Sequence, residues 1–231
     1  THAADAATAR EQAETALREM GIDRLDVLLL HGARVADPFT ERAEVFEELL
    51  RMKDEGIAGN VGVSSHYISA ISDAAAHPEV DVIHPLINRA GMGILDGSAA
   101  GMARAVARAA SSGKGVYAMK ALAGGNFISS ARGSISWVLE QEGVHALALG
   151  MLSEAEIEAN AALLDDGTAP DEVWDKLEEG TRRLTIMREF CSGCGECVEV
   201  CRDGALGMVD DAAMVDPEKC VLCGYCGAAC P

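Results

Sequence analysis

The chain has 231 residues, 49% of them hydrophobic, which suffices for a sizeable core in one or two domains. Its formal net charge of -18 repels phosphate backbones and anionic lipid, so no nucleic acid and no membrane surface is expected as a partner. No apolar run approaches the roughly 20 residues of a transmembrane helix, and no basic-then-apolar signal segment opens the chain.

Cysteine is absent from residues 1 to about 165, where apolar strands alternate with helical patterns. Ala9, Ala13, Ala16, Leu17 and Met20 mark one helical face, stopped by Gly21. An apolar run from Leu25 to Leu30 ends at His31. Pro38 opens a helix carrying Val45, Leu49 and Met52 on one face, with Gly56 after its end. A strand at Asn60 to Val63 precedes a helix at 68–76. Asp81 to Leu86 is the next strand, 99–111 an Ala-rich helix, Gly115 to Met119 a strand, and 130–141 a helix. His145 to Leu149 is the fifth strand, and Ser153 with Glu156 spells a capping box for a helix ending near Leu164. Residues 165–170 read as a loop, and 171–189 as a linking helix and connector.

Five strands alternating with helices imply a parallel sheet buried on both faces. The pattern fits an open doubly wound sheet and equally the last five units of a (β/α)8 barrel. No G-x-G-x-x-G follows an early strand, which counts against a Rossmann fold.

All eight cysteines fall after residue 190. Cys191, Cys194, Cys197 and Cys201 read C-x2-C-x2-C-x3-C, and Cys220, Cys223, Cys226 and Cys230 repeat it, followed by Pro231. Two residues between thiolates let one tight loop present three sulfurs to three corners of a cube, and in this motif the fourth cysteine serves the other cluster. Cluster one therefore takes Cys191, Cys194, Cys197 and Cys230, and cluster two takes Cys220, Cys223, Cys226 and Cys201. Gly193, Gly195, Gly224 and Gly227 stand where the backbone must bend closely round sulfide. Ala205 to Val209 and Ala212 to Val215 read as a hairpin turning at Asp210-Asp211. Zinc would favour pairs of C-x2-C rather than triplets plus a fourth, and disulfides need an oxidising compartment.

Residues 191–231 resemble the bacterial two-cluster ferredoxins, with Arg202 standing after Cys201 where the second copy has proline. The alternating region resembles the aldo-keto reductases. "RLDVLLLH" (24–31) is similar to the family's fourth strand, which ends in histidine, and "GIAGNVGVSSH" (56–66) to the fifth. "GVYAMKALAGG" (115–125) resembles the seventh strand and its loop, and "SWVLEQEGVHALALGMLSEAEIEAN" (136–160) the seventh helix, eighth strand and cofactor loop. The resemblance implies His31 as a catalytic residue and leaves His66, at the next strand end, as a lesser candidate. It implies contacts to a nicotinamide dinucleotide, NAD(P), from Ser64, Ser65, His84, Asn88, Met119, Lys120, Leu122, Gly150, Met151, Ser153 and Asn160. A carboxylate at Glu156 would repel a 2′-phosphate. The family's catalytic tyrosine, aspartate and lysine are expected before residue 1, and the ferredoxin module's last strand after residue 231.

The expected fold class is thus α/β. Strands 4 to 8 of a (β/α)8 barrel occupy residues 1–165, a linker helix 166–190, and a small α+β iron–sulfur domain 191–231. The function so implied is that of a cytoplasmic iron–sulfur oxidoreductase with two [4Fe–4S] clusters and nicotinamide-dependent carbonyl/alcohol chemistry. Its partners would be a redox protein or a small-molecule carbonyl substrate. The alternative is an electron-transfer module on a non-catalytic barrel scaffold. Nicotinamide moves two electrons as hydride whereas each cluster takes one; a flavin normally bridges that difference, and no flavin motif is evident.

Overall fold

The computed structural model describes residues 1–165, 170–179 and 182–231. These gather into two compact units, residues 1–121 with 137–149, and residues 122–136 with 150–231. Among the described residues no helix is long and apolar enough to cross a membrane.

In chain order the first unit runs α1 (Ala6–Met20), β1 (Leu25–His31), α2 (Pro38–Glu41), α3 (Ala43–Asp54), β2 (Ala58–Ser65), α4 (Ile68–Ala76), β3 (Val82–Pro85), α5 (Ala99–Ser111) and β4 (Gly115–Met119). It resumes at residue 137, the last turn of α6 (Ala131–Leu139), and ends with β5 (Ala146–Ala148). Asp5 caps α1 by accepting from the Thr8 N–H, and Gly21 closes it in the left-handed conformation at φ 66°. The helix expected from Pro38 is two: Arg42, at φ −130° and ψ 29°, breaks it. The break lets Phe39 stack on His77, ring centroids 4.8 Å apart, while its edge meets Phe46.

All five strands are parallel and lie side by side in sequence order. A doubly wound sheet reverses its order at a switch point. Unbroken order is that of a singly wound sheet, and so of consecutive barrel units. Leu28↔Val61 and Leu30↔Val63↔Ile83↔Val116 form rows of buried branched side chains. Helix α3 packs on β1 and β2, α4 on β2 and β3, and α5 on β3 and β4. Val45, Leu49, Met52, Ile71, Met102 and Val106 are fully buried, each worth roughly 1.5–3 kcal/mol. The sheet is therefore not covered equally on both faces. The alternate rows, Val27↔Asn60 and Leu29↔Gly62↔Val82, point away from the helices, and Val27 is 37% exposed. One-way winding puts every connecting helix on the same side.

The second unit comprises the segment 122–136, then α7 (Glu154–Asp165), α8 (Asp171–Glu178), α9 (Glu196–Glu199), β6 (Leu206–Val209), β7 (Ala212–Val215) and α10 (Tyr225–Ala229). The loop expected at 165–170 falls, for residues 166–169, outside the described residues, as do 180 and 181 of the expected connector. The hairpin forms as expected, antiparallel, with Asp210 and Asp211 both at positive φ, 47° and 60°. This is the turn geometry that suits the right-handed twist of a two-residue hairpin. Arg188 reaches the carbonyls of Val209 and Asp210 at 3.5 and 3.4 Å.

Candidate functional site

In the first unit, strand register assembles a polar row at the carboxyl ends of the sheet. His31 pairs with Ser64, and Ser64 with His84. The His31 Nδ1 lies 2.9 Å from the Ser64 hydroxyl. His84 hydrogen-bonds the Tyr117 carbonyl through Nδ1 at 2.6 Å and stacks on the Tyr117 ring, centroids 4.0 Å apart. Burial pushes His31 down to about 4, helped by His2 and by the positive charges of the N-terminus and Lys120. Burial also lowers His84 and raises Tyr117. The row is thus a set of neutral groups with one imidazole fixed by a hydroxyl and another by a carbonyl.

The neighbouring side chains are largely engaged with the protein. Ser65, fully buried, donates to the Gly32 carbonyl at 3.3 Å and accepts from the Tyr67 N–H at 3.1 Å. Asn88 closes a small ring on Met92, donating to its carbonyl at 2.9 Å and accepting its N–H at 3.0 Å. His66 is buried, its N–H bonded to the Ala33 carbonyl. The Met119 carbonyl accepts from the Ile87 N–H at 3.1 Å. Lys120 follows it at φ 66°, a left-handed conformation that costs an L-residue about 1–2 kcal/mol.

In the second unit the cysteines border two cavities. One, of about 570 Å³, is lined by Cys201, Cys220, Cys223 and Cys226, with Arg182 and Arg183 in its wall. The other, of about 240 Å³, is lined by Cys191, Cys194, Cys197 and Cys230, with Cys226 also touching it. Each cavity thus meets three cysteines of one motif and the fourth of the other. All eight are free thiols. Among the described residues no group of three or more His, Cys, Asp or Glu is placed to hold a single ion. The sulfurs surround volumes instead. The Cys191 sulfur accepts from the Ala213 N–H at 3.4 Å, and that of Cys201 from the Ala205 N–H at 3.3 Å. The Ala213 bond holds the Cys191 thiol below its usual range. Burial raises Cys197, and the charges of Cys191, Cys194 and Cys230 add to it. Cys226 is raised by burial and by Cys223 and Cys220.

Gly193, Gly195 and Gly224 take positive φ of 72°, 78° and 84° beside the ligands. Gly227 does not: it sits inside α10, where no bend is required. These features fit an inorganic cube, since four cysteines drawn from both motifs line each cavity and backbone N–H groups point at sulfur.

The aldo/keto reductase family model matches residues 2–134, more than half of the chain. The chain belongs to the aldo/keto reductase family. Residues 183–231 of this family member match the 4Fe-4S dicluster domain. It is 27% identical to a solved protein from Pseudomonas aeruginosa assigned to the aldo-keto reductases, with a TM-score of 0.57 over 70% of this chain and 59% of that one. It is 41% identical over 81 residues to protein NrfC of Escherichia coli strain K12, covering 25% of this chain and 34% of NrfC. It is 44% identical over 54 residues to a component of an ion-translocating oxidoreductase complex from Methanosarcina acetivorans, covering 23% of this chain and 20% of that component. The chain thus spans about a third of NrfC and under two thirds of the P. aeruginosa protein.

The remaining sequence-derived positions of this aldo/keto reductase lie in the second unit. The Leu122 carbonyl accepts from the N–H groups of Gly125 and Phe127. Gly150 has open space where a Cβ would stand, Met151 is 41% exposed, and Asn160 is half-buried on α7. Ser153 accepts the Glu156 N–H at 3.3 Å, but the Glu156 carboxylate returns to the Leu152 N–H rather than to Ser153. The capping box is therefore displaced by one residue. Two features gave no sequence signal: the wall position of Arg182 and Arg183, and the contact of Asn126 with the Cys220 carbonyl at 2.9 Å.

Proposed function

We propose that the protein is an iron–sulfur oxidoreductase of the aldo-keto reductase type, carrying two [4Fe–4S] clusters with crossed ligation and acting on a carbonyl/alcohol pair with a nicotinamide dinucleotide. The observation that supports it is the pairing of cysteines around the two cavities, three from one motif and the fourth from the other. Cys201, Cys220, Cys223 and Cys226 would hold one cluster, and Cys191, Cys194, Cys197 and Cys230 the other. When bound, the clusters supply one-electron steps and the dinucleotide a hydride. The chain's own residues hold and orient. His31, neutral and fixed against Ser64, keeps an imidazole at the carboxyl end of its strand, where barrel chemistry takes place. Lys120 offers a cation to a phosphate. The oxygens of Ser64, Ser65 and Asn88 each retain acceptor capacity for an amide donor, and His84 keeps its second ring nitrogen. Met119, at the end of the same strand as the Tyr117 carbonyl, would line the dinucleotide beside them. At the start of α7 the Glu156 carboxylate already occupies a backbone N–H, so no preference for a 2′-phosphate is expected.

The cytoplasm, where thiols stay reduced, suits such a centre. The partner class is a one-electron redox protein together with a small carbonyl substrate. Crossed ligation is tested by Cys201→Ser in anaerobically loaded protein. The electron paramagnetic resonance signal that changes should be the one abolished by replacing Cys220, Cys223 and Cys226 together. A change in the other signal would mean that each motif holds its own cluster. Calorimetric titration with NADH and NADPH tests the dinucleotide site: comparable binding of both is expected, and binding of neither would favour the scaffold alternative.

A further inference from the structure

The two cysteine motifs are duplicates offset by 29 residues, so Gly193 of the first corresponds to Leu222 of the second. Both residues are left-handed, Gly193 at φ 72° and Leu222 at φ 51°. Glycine takes that conformation freely, whereas a leucine there is strained and persists only where its surroundings hold it. The second cysteine loop is therefore under a strain that the first escapes.

The loop that leads from β4 to α6 holds it. Asn126 donates through Nδ2 to the Cys220 carbonyl at 2.9 Å and to the Ala123 carbonyl at 2.8 Å, tying the two loops together. Gly124, at φ 71°, approaches so closely that an added Cβ would lie 2.2 Å from the Val221 carbonyl oxygen and 3.2 Å from the Leu222 Cβ. Gly124 also lines the Cys220-side cavity, and no residue of its loop borders the Cys191-side cavity. We propose that Asn126 and Gly124 form a clamp that holds the strained Cys220–Cys223 loop in its ligating shape, making them positioning residues of one cluster site and not of the other. This segment is the loop whose glycines resemble those that follow the family's seventh strand. The proposal rests on the two-cluster reading.

The test is chelator-driven iron release from the whole anaerobically loaded protein, followed at each cluster's paramagnetic signal. Asn126→Ala should speed loss at the Cys220 side about fivefold, the equivalent of one neutral hydrogen bond of about 1 kcal/mol, and leave the Cys191 side unchanged. Asn126→Asp keeps the shape but cannot donate, so it should behave like alanine. Leu222→Gly removes the strain and should return the Asn126→Ala protein to within about twofold of the original rate. An Asn126→Asp protein that releases iron at the original rate, equal acceleration at both sites, or no rescue by Leu222→Gly would overturn the clamp while the clusters stand. Unsubstituted protein that takes up iron without sulfide would overturn the cluster reading itself and the clamp with it.

Discussion

Lys120 is a residue where stability and function should pull apart. It sits immediately after β4 at φ 66°, a conformation costing roughly 1–2 kcal/mol for any residue with a Cβ. Alanine keeps the Cβ and the cost, so Lys120→Ala should leave stability within about 0.5 kcal/mol. Glycine removes the cost but gives back about 0.5–1 kcal/mol of backbone entropy, so Lys120→Gly should be about 0.5–1 kcal/mol more stable than Lys120→Ala. Both variants lose the ammonium proposed to face a phosphate. A half-exposed charged contact is worth about 1–1.5 kcal/mol, so dinucleotide affinity should fall about tenfold in each. Urea denaturation followed by circular dichroism gives the first quantity and calorimetry the second. The reasoning fails if the glycine variant is no more stable than the alanine variant, or if either binds the dinucleotide as tightly as the original protein.

Three further outcomes are expected. Glu48, only 4% exposed, accepts from Arg10 Nε at 2.5 Å and Arg51 Nη1 at 2.8 Å; Glu48→Gln should cost about 2 kcal/mol in urea, discounted because both arginines reach solvent and Arg10 keeps Glu55. His31 is held at about 4 against an ordinary 6.5, so protons bind the unfolded chain first and stability should fall as pH drops from about 6.5 toward 4, by about 1–2 kcal/mol after allowance for its partial exposure; a slope unchanged in His31→Gln would refute this. Arg182→Gln with Arg183→Gln removes two positive charges from one cavity wall and should lower the midpoint potential of the Cys220-side cluster alone in a potentiometric titration; equal shifts at both clusters would contradict it.

The alternation of strands and helices was legible because buried parallel strands are short apolar runs, and each run from Leu25 to Ala148 formed a strand near its expected place. Strand order was not legible. Apolar periodicity reports burial, not neighbours, and only the pairing of β1 through β5 in sequence decides for barrel units over a doubly wound sheet. The break at Arg42 escaped because it serves a ring contact between Phe39 and His77, 38 residues apart in the chain, not a local propensity. The cysteines were readable because ligand spacing is a local geometric demand. Asn126 was not, since its partner Cys220 lies 94 residues away. Leu222 carried a signal in principle, as a leucine where the duplicate has glycine, but its meaning depends on a φ that only coordinates give.

The measurement that bears most directly on the two-cluster assignment is the metal and sulfide content of anaerobically reconstituted protein, read together with its paramagnetic signals after reduction. Two cubic clusters predict about eight iron and eight acid-labile sulfide per chain and two signals separable by cysteine replacement. One or two zinc ions per chain with no labile sulfide would contradict it.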